Sequence, residues 1–415
     1  MSLLRARSVL HFLPILLLLS ALSLFSPTSA YTKLSDETLR NLPNAGQDFD
    51  IHKGKLLAPI LRPRVPGTPG STAVLNHFVD FFRTSLPNWH LEFQNSTSRT
   101  PATGNAQIPF VNLIVTRDPP WASSGDVGRL TLVAHYDSKR EPAGFIGATD
   151  SAAPCAMLMH MARSIDDALT RKWAAMEADG TAGMGLEADQ GVQILFLDGE
   201  EAFVTWTASD SLYGARSLAS TWESSMHPAL STYHNKLSSI SLFVLLDLLG
   251  AKNPTVPSHY KITHWAYVHM SEAESRLREL RLLKSSPNHP SKRSLSTRNS
   301  KARHEVVRSE PHFLPDGDHN KQTNFNGERI ADDHVPFLQR GVDVLHLIPI
   351  PFPLVWHLKE DDGEHLDLDT VEDWAKIVTA FVAEWMELEG FMPESGSANK
   401  DTGKSIFQPR SKTEL

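Results

Sequence analysis

Two adjacent glutamates, Glu200 and Glu201, follow the apolar run Gln193-Ile194-Leu195-Phe196-Leu197 across the turn Asp198-Gly199. A short apolar run bounded by turn residues reads as a buried strand. In open α/β sheets, sites form outside the carboxyl ends of strands, so these carboxylates stand where chemistry is done. Neighbours in a chain point different ways, so one can ligate a metal while the other moves protons. Other groups hold the same position in their own segments. His135-Tyr136-Asp137-Ser138 follows the run Leu130 to Ala134, and Asp247 closes the run Leu242 to Leu246. Asp150-Ser151 opens a helical pattern with Pro154 in its first turn, and His357 follows Pro351-Phe352-Pro353-Leu354-Val355-Trp356. Zinc takes histidine nitrogen and carboxylate oxygen, and a catalytic zinc keeps three protein ligands and one open position. Asp150, Glu201 and His357 satisfy that requirement. Singly, each group has a plainer role. The glutamates can form a solvated acidic turn, Asp150 can cap a helix, His135 can be a satisfied core histidine, and Asp247 can hydrogen-bond a loop. Their joint placement after successive strands is what points to a metal.

The strands that must carry these groups are Phe110 to Val115, Leu130 to Ala134, Val192 to Leu197, Leu242 to Leu246 and Val342 to Ile348. Helical patterns lie between them, near 154–165, 211–222, 271–282 and 370–389. This alternation predicts an α/β fold, a mostly parallel central sheet flanked by helices in three layers. Upstream, Arg62 to Gly70 is a rigid, turn-rich loop, and Ser71 can cap the helix that runs to about Leu86. Trp89 to Phe93 alternates like a strand, and 94–107 reads as loop. Residues 171–191 read as a small surface insertion. Residues 284–326, rich in Ser, Lys, Arg, His and Asn, bury too little surface to order themselves and read as a disordered insert. A basic binding patch is the alternative. Residues 391–415 read as a flexible tail.

The net charge of −8 over 415 residues argues against a nucleic-acid binder. Arg5 and Arg7 precede an apolar run from Val9 to Phe25, and Thr28-Ser29-Ala30 follows. This is the layout of a secretory signal peptide over residues 1–30, with an uncleaved anchor as the alternative. Cleavage would leave no stable membrane association. The chain ends in Lys412-Thr413-Glu414-Leu415, close to the endoplasmic-reticulum retention signal; the lumen and secretion are both open. Asn95-Ser96-Thr97 is a glycosylation sequon. Cys155 is the one cysteine, so no intrachain disulfide forms, and a packing role suits it better than a nucleophilic one.

Several longer segments resemble the glutaminyl-peptide cyclotransferases of the animal type. They are His135 to Lys139, Gly147 to Ala156, Asp198 to Phe203, Asp210 to Gly214, Leu245 to Ala251, Asp332 to Leu338 and Val344 to His357, with Arg64 to Gly70 similar as well. The matches run in order from about residue 56 to 389. The resemblance implies the zinc aminopeptidase-like fold over a catalytic domain of residues 31–390. It implies one zinc per chain on Asp150, Glu201 and His357, with Glu200 as general acid/base and Asp247 and Asp332 as supporting acids behind it. Trp206, Ile330, Ile348, Phe352 and Trp356 match the substrate-pocket wall. The implied partners are peptides and proteins with N-terminal glutamine, and glutamate remains open; a monomer is the default. Secreted animal members pair the cysteine matching Cys155 with one whose place here is taken by Ala134. Two rivals stand beside this reading. In a two-zinc aminopeptidase, His135 and Asp247 would hold a second zinc and Asp150 would bridge. A non-catalytic lumenal relative would be expected to have lost ligands that this chain retains.

Overall fold

The strand runs alternate between two apolar faces, and both faces are covered. The computed structural model describes residues 32–184, 189–292, 308–318, 323–325 and 329–393. The signal-peptide segment 1–30, the terminal Lys412 to Leu415 and the centre of the 284–326 segment lie outside the described residues. In chain order the principal elements are α1 (Asp36–Arg40), α2 (Pro69–Ser85), β1 (His90–Arg99), β2 (Gln107–Arg117), β3 (Val127–His135), α3 (Ala153–Ala178), β4 (Asp189–Leu197) and α4 (Tyr213–Ser224). Then follow β5 (Ile240–Leu246), α5 (His264–Glu279), α6 (Val335–Leu338), β6 (Val344–Leu347) and α7 (Leu368–Trp385).

The strands form one six-stranded sheet in the order β1-β2-β4-β3-β5-β6. Strands β4, β3, β5 and β6 are parallel, and β2 is antiparallel to both of its neighbours. Leu130, Leu132 and Ala134 join Ile194, Phe196 and Val244 on one face, in a core shared with α2, α3, α5 and α7. Val133, Leu195 and Phe243 point the other way, into a second core with α4 and Phe337. The parallel strands β3 to β6 are buried on both faces and need continuous apolar runs, and the antiparallel β2, which lies between β1 and β4, is buried enough to read the same way, so all five are visible in the sequence. The register sets His135 beside Leu197 and Leu246 beside Leu347. The residues that follow these strands therefore emerge at one edge of the sheet.

Several features differ from the sequence reading, among them the helix expected near 271–282, which spans His264–Glu279. Strand β1 continues to Arg99 through the expected loop, paired along its length with β2. Its polar residues sit on an edge strand, where little burial is required, and Asn95 of the sequon is exposed there. Helix α3 runs past 165 into the expected surface insertion and buries Trp173 beneath the Arg117 guanidinium. Thr68, not Ser71, caps α2; Pro69 fixes the first helical turn. The described parts of 284–326 pack rather than hang free. Phe313 and Leu314 are buried, and their amides donate to Glu274 at 2.7 and 3.0 Å. Arg278 links Glu274 to Glu310 at 2.7 and 3.3 Å. Two apolar residues and a buried ion-pair network anchor a segment that shows no periodicity.

Candidate active site

Asp137, two residues past the end of β3, organises the glutamate pair. Its two carboxylate oxygens accept the amides of Glu200 at 3.0 Å and Glu201 at 3.1 Å. Burial would raise the Asp137 pKa, but His135 and these amides outweigh it and lower it. The glutamate side chains diverge from this shared anchor. Glu201 faces His357, Nε2 to Oε1 at 3.7 Å, and Asp150 faces the same nitrogen at 3.5 Å. Tetrahedral zinc with donors near 2.1 Å would set its ligand atoms about 3.4 Å apart, so this spacing fits. Glu201 Oε1 is buried and has no hydrogen-bond partner. Burial and the Asp150 charge push the Glu201 pKa well above its ordinary value, a conflict that a cation between them relieves. Burial lowers the His357 pKa and favours the neutral imidazole that a metal needs. His357 sits at φ 58°, a left-handed conformation that costs a non-glycine residue of order 1 kcal/mol. Trp356 stacks on its ring at 3.9 Å, and Phe352 meets Trp356 edge-on at 4.8 Å.

A second triple shares Asp150. His135 Nε2 lies 3.0 Å from Asp150 and 3.5 Å from Asp247, while its Nδ1 lies 3.4 Å from Asp137. Burial alone would lower the His135 pKa, but these three carboxylates raise it well above its usual value. Asp247 Oδ1 also accepts the Ser151 hydroxyl and the Leu248 amide.

Glu200 is buried, and burial raises its pKa well above the carboxylate range; Glu201, Asp332 and Asp333 add to this while His135 opposes it. Asp332 accepts from His346 Nε2 at 2.8 Å, and burial followed by the Asp247 charge pushes its pKa up to about 7. The expected wall residues differ in exposure. Trp206 and Trp356 are exposed, Ile330 and Phe352 are intermediate, and Ile348 is buried. Trp206 stands on a loop held by Asp210, whose carboxylate accepts the amides of Phe203, Val204 and Thr205 at 2.9–3.0 Å.

Residues 112–382 match peptidase family M28. The glutaminyl-peptide cyclotransferase of Gloydius blomhoffii is 39% identical over 339 residues, covering 80% of this chain and 80% of its own length. This chain belongs to the glutaminyl-peptide cyclotransferase family. Among solved structures, the glutaminyl cyclase of Macrostomum lignano aligns with a TM-score of 0.64 and 29% identity, covering 86% of this chain and 97% of that one. A leucine aminopeptidase precursor of Bacteroides thetaiotaomicron aligns at a TM-score of 0.51 and 16% identity, covering 82% and 98%, which shows a common fold.

Several polar groups around the site of this cyclotransferase-family chain carried no assigned role in the sequence reading. Asp137 is one, although its position two residues after His135 places it just past the same strand end. Lys139 reaches Glu201 Oε2 at 3.3 Å. Asp361 accepts the Thr149 amide at 2.8 Å and its hydroxyl at 3.0 Å, beside Asp150. No local pattern marks Asp361; only tertiary packing brings it there. Cys155 is fully buried, and burial raises its thiol pKa to about 12, which removes it from nucleophilic chemistry.

Proposed function

We propose that this enzyme converts the N-terminal glutamine of peptides and proteins to pyroglutamate with release of ammonia. One zinc, held by Asp150, Glu201 and His357, serves that reaction. The observation that carries the metal reading is the convergence of Asp150 Oδ2 and the bare Glu201 Oε1 on His357 Nε2. Zinc bound there supplies Lewis-acid polarisation of the γ-carbonyl. The substrate's α-amine attacks its own γ-amide carbon, a five-membered lactam closes, and the amide nitrogen leaves as ammonia. Glu200 takes the proton from the attacking amine and hands it to the leaving nitrogen. A carboxyl near its ordinary value of about 4.3 would be a weak base for this task, and the buried, acid-flanked position of Glu200 raises its pKa and makes it a stronger one. Asp332 supports that shift from behind Glu200, and Asp247 acts through Asp332, whose own pKa its charge raises. Trp206, Ile330, Ile348, Phe352 and Trp356 wall the pocket, shape the folded substrate and exclude water.

The test is an incubation of purified protein with a Gln-initiated peptide, measuring ammonia, pyroglutamate and free glutamine. Ammonia and pyroglutamate in equal amounts are expected. Free glutamine without ammonia would instead identify an aminopeptidase, and zinc counting would then decide between one metal and two. Glu200→Gln is expected to lower kcat by about 10²–10⁴-fold with zinc retained. Turnover at the parent rate would remove Glu200 from the mechanism.

The same reading assigns residues 1–30 to a cleaved signal peptide, 31–390 to the catalytic domain and 391–415 to a tail. It places the mature chain in the secretory pathway, secreted or retained through its Lys-Thr-Glu-Leu terminus. Among the described residues no helix is long and apolar enough to cross a membrane. The exposed Asn95 in β1 suits N-glycosylation in that compartment. Sedimentation of the mature protein is expected to give a monomer.

A further inference from the structure

Arg64 lies in the turn-rich loop before α2, far in sequence from every group of the active site, and it is fully buried. A guanidinium carries five N–H donors and no acceptor. All five meet main-chain carbonyl oxygens. Nε donates to Tyr136 at 2.6 Å. One terminal nitrogen donates to Arg62 at 3.4 Å and to Ile146. The other donates to Gly147 at 3.0 Å and to Asp150 at 3.3 Å. The Arg64 amide also donates to Ser138 Oγ at 2.9 Å. None of these acceptors is a carboxylate.

A buried cation is costly unless it is paired or fully hydrogen-bonded. Five neutral acceptors satisfy every donor, and no direct ion pair contributes. Two of the segments gripped are those of the active site: the exit of β3, between His135 and Asp137, and the 146–150 turn that ends in Asp150. On its far side the same turn is held by Asp361, whose backbone carbonyl accepts the Ala148 amide at 3.0 Å and whose carboxylate takes Thr149. A loop crossing the ends of a sheet has no ladder to fix it, so its clamps decide where Asp150 lies.

We propose that Arg64 is a positioning residue for the zinc site, a five-point clamp that fixes the Asp150 turn against the end of β3. The proposal rests on the reading of Asp150 as a zinc ligand. Lysine keeps the charge, but its three donors on one nitrogen cannot span carbonyls spread over the two segments. Gly147 offers an independent perturbation. It sits at φ 63°, and a methyl added there would overlap the Asp150 carbonyl oxygen that Arg64 holds.

The test measures zinc affinity of the full mature chain by chelator competition, with thermal midpoints recorded alongside. Arg64→Lys is expected to weaken zinc binding by about 10–100-fold, the usual cost of losing an outer support of a metal site, and Gly147→Ala to weaken it in the same direction. Amide exchange at Ala148 and Thr149 should accelerate in both. Arg117→Met breaks the buried Arg117–Asp166 pair (3.0 Å), which lies at the opposite end of the sheet from the site, beside Val192 at the start of β4, and serves as a control for general destabilisation. It is expected to lower the midpoint and leave zinc affinity unchanged. If Arg64→Lys does not fold, Gly147→Ala decides alone. Parent-like zinc affinity in the folded variants overturns the proposal, as does an equal loss in Arg117→Met. Asp150→Asn separates the two levels. If it binds zinc as the parent does, the ligand assignment fails; if it loses zinc while Arg64→Lys and Gly147→Ala keep it, only the clamp fails.

Discussion

His357 with Asp150 and Glu201, and His135 with Asp150 and Asp247, are two triples of one histidine and two carboxylates that share Asp150. By ligand chemistry alone either could hold zinc. They differ in what else their atoms do. In the first, Glu201 Oε1 is buried without a partner, and the imidazole is pushed toward its neutral form. In the second, Asp247 Oδ1 already accepts a hydroxyl and an amide, and three carboxylates around His135 favour its protonated, non-ligating form. Residue type defines which groups can bind a metal. The hydrogen bonds already made decide which of them are free to do so.

The sharpest way to break this comparison is to remove one carboxylate from each triple. Asp150→Asn is expected to take zinc content from about one per chain to near zero and abolish turnover, since a neutral amide is a poor zinc ligand. Asp247→Asn should leave zinc content unchanged while turnover falls. Metal analysis of the two purified variants checks this. A parent holding two zincs, one of them lost in Asp247→Asn, would mean that the second triple is a metal site after all.

A smaller effect concerns Asp361, which touches the shared turn. Burial first, and the Asp150 charge second, push its pKa up to about 7. The folded metal-free protein then holds a proton that the unfolded chain releases near pH 3.9. Stability linked to this group is complete below about pH 4 and is lost as pH rises toward 7, with about 1.4 kcal/mol for each tenfold difference in proton affinity between the folded and unfolded chains. Zinc on Asp150 would cancel the charge that contributes to the raised pKa. Denaturant unfolding from pH 4 to 7 should therefore show a steeper decline without zinc than with it, and Asp361→Asn should flatten the metal-free curve. Equal slopes with and without zinc would detach Asp361 from the triple of Asp150, Glu201 and His357.

How far the sequence could reach follows from what each feature depends on. The five buried strands, and the groups emerging after them, were legible because double-sided burial writes a continuous apolar run. Strand β1 was legible only to Phe93, because its outer residues answer to pairing with β2 rather than to burial. The Glu274–Arg278–Glu310 network hid the packing of Phe313 inside a segment that looked too polar to fold. Within the site, the ligand types could be read, but the free lone pairs could not. Whether Glu201 Oε1 is bare and Asp247 Oδ1 engaged depends on Ser151 and Leu248, and sequence carries no mark of either contact. Arg64 and Asp361 are the extreme cases, since they bracket Asp150 from positions 86 residues before it and 212 residues after its neighbour Thr149.

Ser151 offers the finest cut between the two triples. Its hydroxyl donates to Asp247 Oδ1, and Ser151→Ala removes that donor while leaving every carboxylate and both histidines in place. Losing one hydrogen bond to a buried charged group should cost about 1.5–3 kcal/mol of folding stability, read as a lower denaturation midpoint. The diagnostic readout is different. If hydrogen bonds keep Asp247 from binding metal, freeing one should strengthen uptake of a second zinc, seen as a new, weaker phase in a calorimetric titration. The first phase should be unchanged, because no first-triple ligand is touched. A destabilised variant with no second phase would show that the Leu248 amide and the protonated His135 suffice to close that position, and that the hydroxyl only stiffens it.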